Sequence, residues 1–237
     1  MIIDAAAVGY RELNEILAKG PGKYEIKNCL GQRFIGAGTD GKEIRIEGIP
    51  GNALGAYLNG SSIYVGGNAQ DAVGDTMNDG KIIVNGNIGD AAGYAMRGGE
   101  IFVKGNAGYR AGIHMKEYKS KIPVMVIGGG TGSFLGEYQA GGIILVLGLN
   151  APKIVGNFPC TGMHGGKVYL RTSGKDIVFP LQVSFHLSDG AERAEIGRLV
   201  ERYCGYFGGD VKKIMDADFI TVRPNSGNPY KQMYVSN

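Results

Sequence analysis

The chain has 237 residues, 43% of them hydrophobic and 20% charged, so it can bury a sizeable core and does not have the composition of a disordered segment. A formal net charge of +3 from 25 basic and 22 acidic residues, with no run of Lys or Arg, leaves no electrostatic footprint for nucleic acid or a membrane surface. Glycine is the outlier at 42 residues, yet it shows neither a triplet period nor a polar low-complexity tract, so collagen and disorder are excluded and the glycines must be positional.

Taken from the start, residues 1–22 read as an N-terminal helical cap, with Tyr10, Leu13, Ile16 and Leu17 at helical spacing and Gly20-Pro21-Gly22 as a stop. A repeat begins at Lys23. Its first copy is degenerate, carrying Tyr24, Ile26 and Gly36, and its second is clear, with Ile44-Arg45-Ile46, Gly48 and Gly55. Copies three to five carry Ile63-Tyr64-Val65, Ile82-Ile83-Val84 and Ile101-Phe102-Val103 at a period of 19 residues. Within them Gly67, Gly86 and Gly105 keep step, as do Asn68, Asn87 and Asn106, then Gly74, Gly93 and Gly112, then Met77, Met96 and Met115. Five extra residues fall within the charged stretch Lys116 to Lys121, which is expected to loop out. The sixth copy resumes at Met125-Val126-Ile127 with Gly129 and Gly136, and the seventh at Ile144-Leu145-Val146 with Gly148 and Gly156, before a last strand at Val168-Tyr169-Leu170.

A repeat of this length with one short β-rich run cannot bury its apolar face alone and must stack on its neighbours. The fold expected for residues 23–189 is therefore an all-β, right-handed parallel β-helix of about seven coils. The right hand follows because left-handed β-helices are built on hexapeptides, and a period of 19 is not near a multiple of six. The repeat glycines are expected at corners, where a positive φ or the close approach of the next coil excludes a side chain.

Residues 190–237 read as a C-terminal helical cap and tail. Ser188-Asp189 supplies an N-cap, and Ile196, Leu199, Val200, Tyr203, Cys204 and Phe207 follow helical spacing up to Gly208-Gly209. A short second helix is expected from the N-cap Asp210 to Met215, a strand at Phe219-Ile220-Thr221-Val222, and loop from Arg223-Pro224 through Pro229.

Several features could carry chemistry. Gly128-Gly129-Gly130-Thr131-Gly132 follows a strand as phosphate-cradling loops do, but Gly129 falls on a repeat column and no helix bearing Lys-Ser or Lys-Thr follows. His114, His164 and His186 are scattered, and Cys160 with His164 is the one close Cys/His pair, short of the three or four ligands that a metal needs. Asp71 and Asp90 stack one period apart, but their column continues as Tyr109 and Ser133 without a neighbouring base, so turn residues are expected rather than a glycosidic site. The Asn column is read as an amide ladder and the Met column as core filling. No catalytic, cofactor-binding or metal residue is assigned.

One column stands apart as a candidate interface stripe: Tyr64, Ile83, Phe102, Val126, Leu145 and Tyr169 alternate outward from the core positions, with Arg45 at the same place one coil earlier. So long an apolar stripe calls for a cover, which is either the chain's own terminal helix or another protein. The three cysteines, Cys29, Cys160 and Cys204, are odd in number and far apart, which points to a reducing compartment, with cytoplasm as the default. The longest apolar run, Gly142 to Leu149, falls short of the roughly 20 residues that span a bilayer.

The spacing in Gly67-Asn68-Ala69-Gln70-Asp71-Ala72-Val73-Gly74 and in Gly86-Asn87-Ile88-Gly89-Asp90-Ala91-Ala92-Gly93 resembles the glycine-repeat β-helix, the GXGXG repeat, that forms the C-terminal domain of the large subunit of glutamate synthase. The tail, Ala194-Glu195-Ile196-Gly197-Arg198-Leu199-Val200-Glu201-Arg202-Tyr203 with the ending Asn228-Pro229-Tyr230-Lys231, is similar to free-standing versions of that domain. The same repeat is shared with one of the subunits of formylmethanofuran dehydrogenase. The resemblance implies a non-catalytic scaffold subunit of a split glutamate synthase, which converts glutamine and 2-oxoglutarate to two glutamates. Amidotransferase and synthase subunits would be its partners, with the FMN and the iron–sulfur cluster on those partners and none in this chain. Homo-oligomers are a further expectation. The glycine-repeat subunit of a formylmethanofuran dehydrogenase is the alternative, and an independent carbohydrate-active β-helix enzyme a more distant one.

Overall fold

The computed structural model describes residues 1–20 and 22–226. Pro21 of the expected stop, the end of the expected loop at Asn228 and Pro229, and the ending Asn228-Pro229-Tyr230-Lys231 lie outside the described residues.

The chain is a parallel β-helix. After β1 (Ile2–Asp4) and α1 (Tyr10–Lys19) come β2 (Lys23–Leu30), β3 (Glu43–Ile49), β4 (Asn59–Val65), β5 (Asp79–Val84), β6 (Glu100–Val103), β7 (Val124–Ile127), β8 (Ala140–Val146) and β9 (Gly165–Leu170). These nine pair in sequence order and all in parallel. Eight chain turns link them, one more than the seven coils expected, because the opening segment contributes β1 as well as a helix.

Register explains the fit. Ile44, Ile63, Ile82, Ile101, Met125, Ile144 and Val168 stand directly over one another, and Ile46, Val65, Val84, Val103, Ile127, Val146 and Leu170 do the same two residues on. Both ladders are buried in one core that runs the length of the column. Full burial of such a side chain contributes roughly 1.5–3 kcal/mol. A second wall is marked by the bridges that link Ala69, Ile88, Ala107, Thr131 and Val155.

The column does not end on β9. The chain continues through β10 (Val183–Leu187), α2 (Gly190–Phe207) and α3 (Val211–Met215) to β11 (Ile220–Pro224), which inserts antiparallel between β9 and β10. Asp189 caps α2 in a reciprocal capping box with Glu192, and Asp210 caps α3, both at the positions the sequence predicts.

Candidate interaction surfaces

The third side of each coil is built from backbone of alternating hand. Ala72, Gly74 and Thr76 have φ of +57°, +68° and +51°, and the same triplet recurs in the coils on either side. The alternation points successive N–H groups to opposite neighbours: Ala72 donates to Asp90 O at 2.8 Å, Gly74 to Leu54 O at 2.8 Å and Thr76 to Tyr94 O at 2.7 Å. Each left-handed residue costs about 1–2 kcal/mol, and the inter-coil hydrogen bonds offset that cost.

Glycine fills the middle position at Gly36, Gly55, Gly74, Gly93, Gly112 and Gly136, all with positive φ. The space there belongs to the core: a Cβ on Gly74 would lie 2.5 Å from Ile101 Cδ1. The seventh member expected in this column, Gly156, is not in it. Gly156 lies over Gly132, its N–H 3.0 Å from Thr131 O, and Cys160 takes the glycine position with φ +61°. The extra residues of this coil sit after Gly148, so the next member of the column falls at Cys160, 24 residues after Gly136, as Gly136 falls 24 after Gly112.

The other glycine column, Gly67, Gly86, Gly105, Gly129 and Gly148, has a different cause. A Cβ on Gly86 would lie 2.3 Å from Asn68 Oδ1, and one on Gly105 the same distance from Asn87 Oδ1. At Gly86, Gly105 and Gly129 the asparagine ladder therefore makes glycine necessary, whereas Gly148 has φ +62° and faces Ile154. Asn68 Oδ1 accepts the Asn87 N–H at 2.8 Å, and Asn87 Oδ1 accepts the Asn106 N–H at 2.8 Å, so side chains bond backbone in the next coil and not one another. Asp71 and Asp90 do likewise, accepting the N–H groups of Asp90 at 2.9 Å and Tyr109 at 2.7 Å.

The glycine-rich loop has no backbone N–H left for a phosphate. Its five N–H groups, Gly128 through Gly132, bond to Val103 O, Gly105 O, Asn106 Oδ1, Ile154 O and Ala107 O at 2.8–3.0 Å. Among the described residues no group of three or more His, Cys, Asp or Glu is placed to hold a metal. Burial raises the Cys160 thiol to about 12 and the Cys29 thiol to about 11, away from nucleophilic range.

Of the two covers expected for the candidate interface stripe, the structure shows one. Ile83, Phe102, Val126, Leu145 and Tyr169 are buried in a second apolar cluster with Ile196, Leu199, Val200 and Tyr203 of α2, Ile214 of α3 and Phe219. The chain's own terminal helix is the cover. Polar ties hold it there. Arg202 pairs through two nitrogens with Glu100, Tyr203 donates to Lys104 O at 3.1 Å, Lys167 meets Glu195 at 2.6 Å, and Arg171 donates to Ile214 O at 3.0 Å. Under the start of α2, Glu192 is buried and accepts from Thr221, the Asp189 N–H, Arg223 and His186. Burial alone would raise its carboxyl, but these donors prevail and hold it at about 2.

Among the described residues, two surfaces beside the covered stripe stay exposed. Beyond the end of α2 a groove of about 540 Å³ is lined by Arg45, Tyr64, Ile83, Tyr206 and Phe207 among others, with the Arg45 guanidinium 4.6 Å from the Tyr64 ring centre. Tyr64 is therefore the stripe position that α2 leaves half-covered. The second surface is the outer side of the left-handed corners. There His114 stacks on Tyr138 at 5.2 Å with Tyr94 edge-on at 5.9 Å, and Phe134 stacks on Phe158 at 5.3 Å beside Tyr109. Arg110 and Glu137 form an ion pair of 2.9 Å between the two stacks. Sequence reasoning missed this face. Its signal was present in part, since His114 and Tyr138, like Phe134 and Phe158, lie 24 residues apart, the length of a coil with its five-residue insertion, but a left-handed corner turns outward residues that strand alternation does not locate.

The charged insertion is also not simply looped out: Lys121 reaches Asp79 at 2.7 Å and Glu117 accepts the Gly142 N–H at 3.1 Å. No helix among the described residues is long and apolar enough to cross a membrane.

Comparison with known proteins fits this architecture. The GXGXG motif family matches residues 24–225. The chain is 43% identical over 252 aligned residues to Uncharacterized protein MJ1350 of Methanocaldococcus jannaschii, covering 99% of this chain and 96% of that protein. Among solved structures it is similar to a chain of the formyltransferase/hydrolase complex (FhcABCD) from Methylorubrum extorquens in complex with methylofuran. That likeness has a TM-score of 0.64 at 18% identity, covering 89% of this chain and 82% of that one. At this identity it is a likeness of fold.

Proposed function

The chain belongs to the GXGXG motif family, and from that premise we propose that it is a scaffold subunit of a multi-subunit enzyme, with no catalysis of its own. The observation that carries this reading is where the polar groups go. The Asn and Asp columns and the glycine-rich loop spend their hydrogen bonds on neighbouring coils, which leaves a rigid column whose free surfaces are aromatic and suited to protein contact.

Of the enzyme systems that share the repeat, the formyl-transfer assemblies come first, with this chain in the role of the glycine-repeat subunit of a formylmethanofuran dehydrogenase. The likeness in shape to a member of a formyltransferase/hydrolase complex supports that order. Split glutamate synthase is the second reading. It is favoured by the Gly67 to Gly74 spacing and by the helix sequence from Ala194 to Tyr203, and it would place FMN and the iron–sulfur cluster on partner subunits.

The test is to purify the tagged chain from its native host and identify the subunits held at fixed stoichiometry. Formyl transfer or hydrolysis by the assembly supports the first reading, and glutamine-dependent glutamate formation supports the second. Turnover of either reaction by the chain alone would overturn the scaffold role.

A further inference from the structure

The aromatic corner face also carries charge. Tyr94 and Tyr109 are 42% and 47% exposed, and Tyr138 and Phe158 continue the exposed rings toward the C-terminal coils. Each of the two tyrosines follows an acid in its own column. Asp75 stands one coil before Tyr94, where the Thr76 N–H donates to Tyr94 O at 2.7 Å. Asp90 stands one coil before Tyr109 and accepts its N–H at 2.7 Å, and Asp71 stands one coil before Asp90.

These acids are not balanced by cations. Among the described residues Asp71, Asp75 and Asp90 make no ion pair. Their Oδ1 atoms accept the Asp90 N–H, the Thr76 hydroxyl and the Tyr109 N–H, which leaves each carboxylate a second oxygen. From the coil of Asp71 to that of Phe158, the columns through Asp71, Ala72, Asp75 and Thr76 hold one Lys or Arg, Arg110, whose charge is met by Glu137. A chain of net charge +3 therefore shows a negative face at this corner.

Elsewhere the chain fills such a set of ring and acid with arginine. Arg45 lies 4.6 Å from the Tyr64 ring centre and 3.1 Å from Glu43, and Arg110 lies 5.0 Å from Phe134 and 2.9 Å from Glu137. Arg202 lies 5.0 Å from Phe102 and pairs with Glu100 through two nitrogens. At Asp75 with Tyr94 and at Asp90 with Tyr109 the ring and the acid are present, and among the described residues no arginine joins them.

We propose that this corner binds arginine side chains of a partner subunit, one at Asp75 and Tyr94 and one at Asp90 and Tyr109, which rests on the scaffold role proposed above and names the chemistry of its partner. The charge of the face selects a cation and repels phosphate-bearing molecules. The rings select guanidinium over ammonium, because a planar and weakly hydrated cation stacks on a ring while its N–H groups pair with a carboxylate.

Titration of the full chain with a tetra-arginine peptide and with tetra-lysine tests this, read from the amide resonances of Tyr94 and Tyr109. Both resonances should shift, and the arginine peptide should bind roughly tenfold more tightly. Asp75→Asn together with Asp90→Asn should abolish binding at an unchanged melting temperature, since Asn52 Oδ1 already accepts the Asp71 N–H in the same column. Tyr94→Leu together with Tyr109→Leu should bring the arginine peptide down to the affinity of the lysine peptide. In the assembly purified from the native host, the chain with both asparagines should lose the subunit seated at this corner. Equal affinity for the two peptides, unshifted resonances, binding that persists with both asparagines, or an assembly that keeps every subunit with them overturns the proposal and leaves the scaffold role standing. A wild-type chain isolated without any partner overturns the scaffold role and this proposal with it.

Discussion

Ala72 and Thr76 hold positive φ as alanine and threonine, so the left-handed conformation by itself does not demand glycine between them. What demands it at Gly74 is Ile101, whose Cδ1 would sit 2.5 Å from an added Cβ. The steric term is therefore the larger one, and Gly74→Ala should destabilise by at least about 2 kcal/mol, read from the urea midpoint. Cys160 occupies the same position in the next corner, before the sheet turns antiparallel at β11. Its thiol and that of Cys29 are buried and pushed up by burial, whereas Cys204 is half-exposed. A native chain should thus react at Cys204 first with a thiol reagent and release all three cysteines only on unfolding.

At the scale of elements, α2 is where the outcome turned. The terminal helix, one of the two covers the sequence left open for the stripe, lies along the face of the column and makes the stripe core. Phe102→Ala should cost about 3–5 kcal/mol of stability, with the folded monomer as the readout. A loss of partner binding without loss of stability would contradict this assignment. The same helix carries a pH signature. The Glu192 carboxyl titrates near 2 in the folded chain, below its ordinary value of 4.5. A depressed carboxyl lends stability that is complete above the unfolded value and disappears as pH falls toward the folded one. Melting temperature should therefore decline between about pH 4.5 and pH 2, and Glu192→Gln should flatten that part of the curve.

At the scale of the molecule, the parallel β-helix was legible because its cause is periodic: stacked aliphatics and glycines at one spacing admit one way to bury the apolar face. The first insertion was legible too, as a change in that spacing. The second was not, since Gly156 offered a glycine near the expected place while the true column passed through Cys160. The aromatic face around His114 and Tyr138 is the surface where a partner of the proposed scaffold would be sought first. Tyr138→Asp should leave stability within about 1 kcal/mol of wild type and abolish co-purification of any protein seated there, checked by thermal melting and by pull-down of the intact assembly.

The sequence alone determined the stack, its glycine columns, the side-chain ladders and the two capped helices, because each follows from local geometry repeated at a fixed interval. Which apolar residues stayed exposed was decided only in three dimensions. The direction of α2 over Phe102 and Leu145, the insertion of β11 between β9 and β10, and the exposure of Leu187 all depend on contacts between segments with no periodic relation. Such contacts are selected by the total area they remove from water, a quantity that no single stretch of sequence contains.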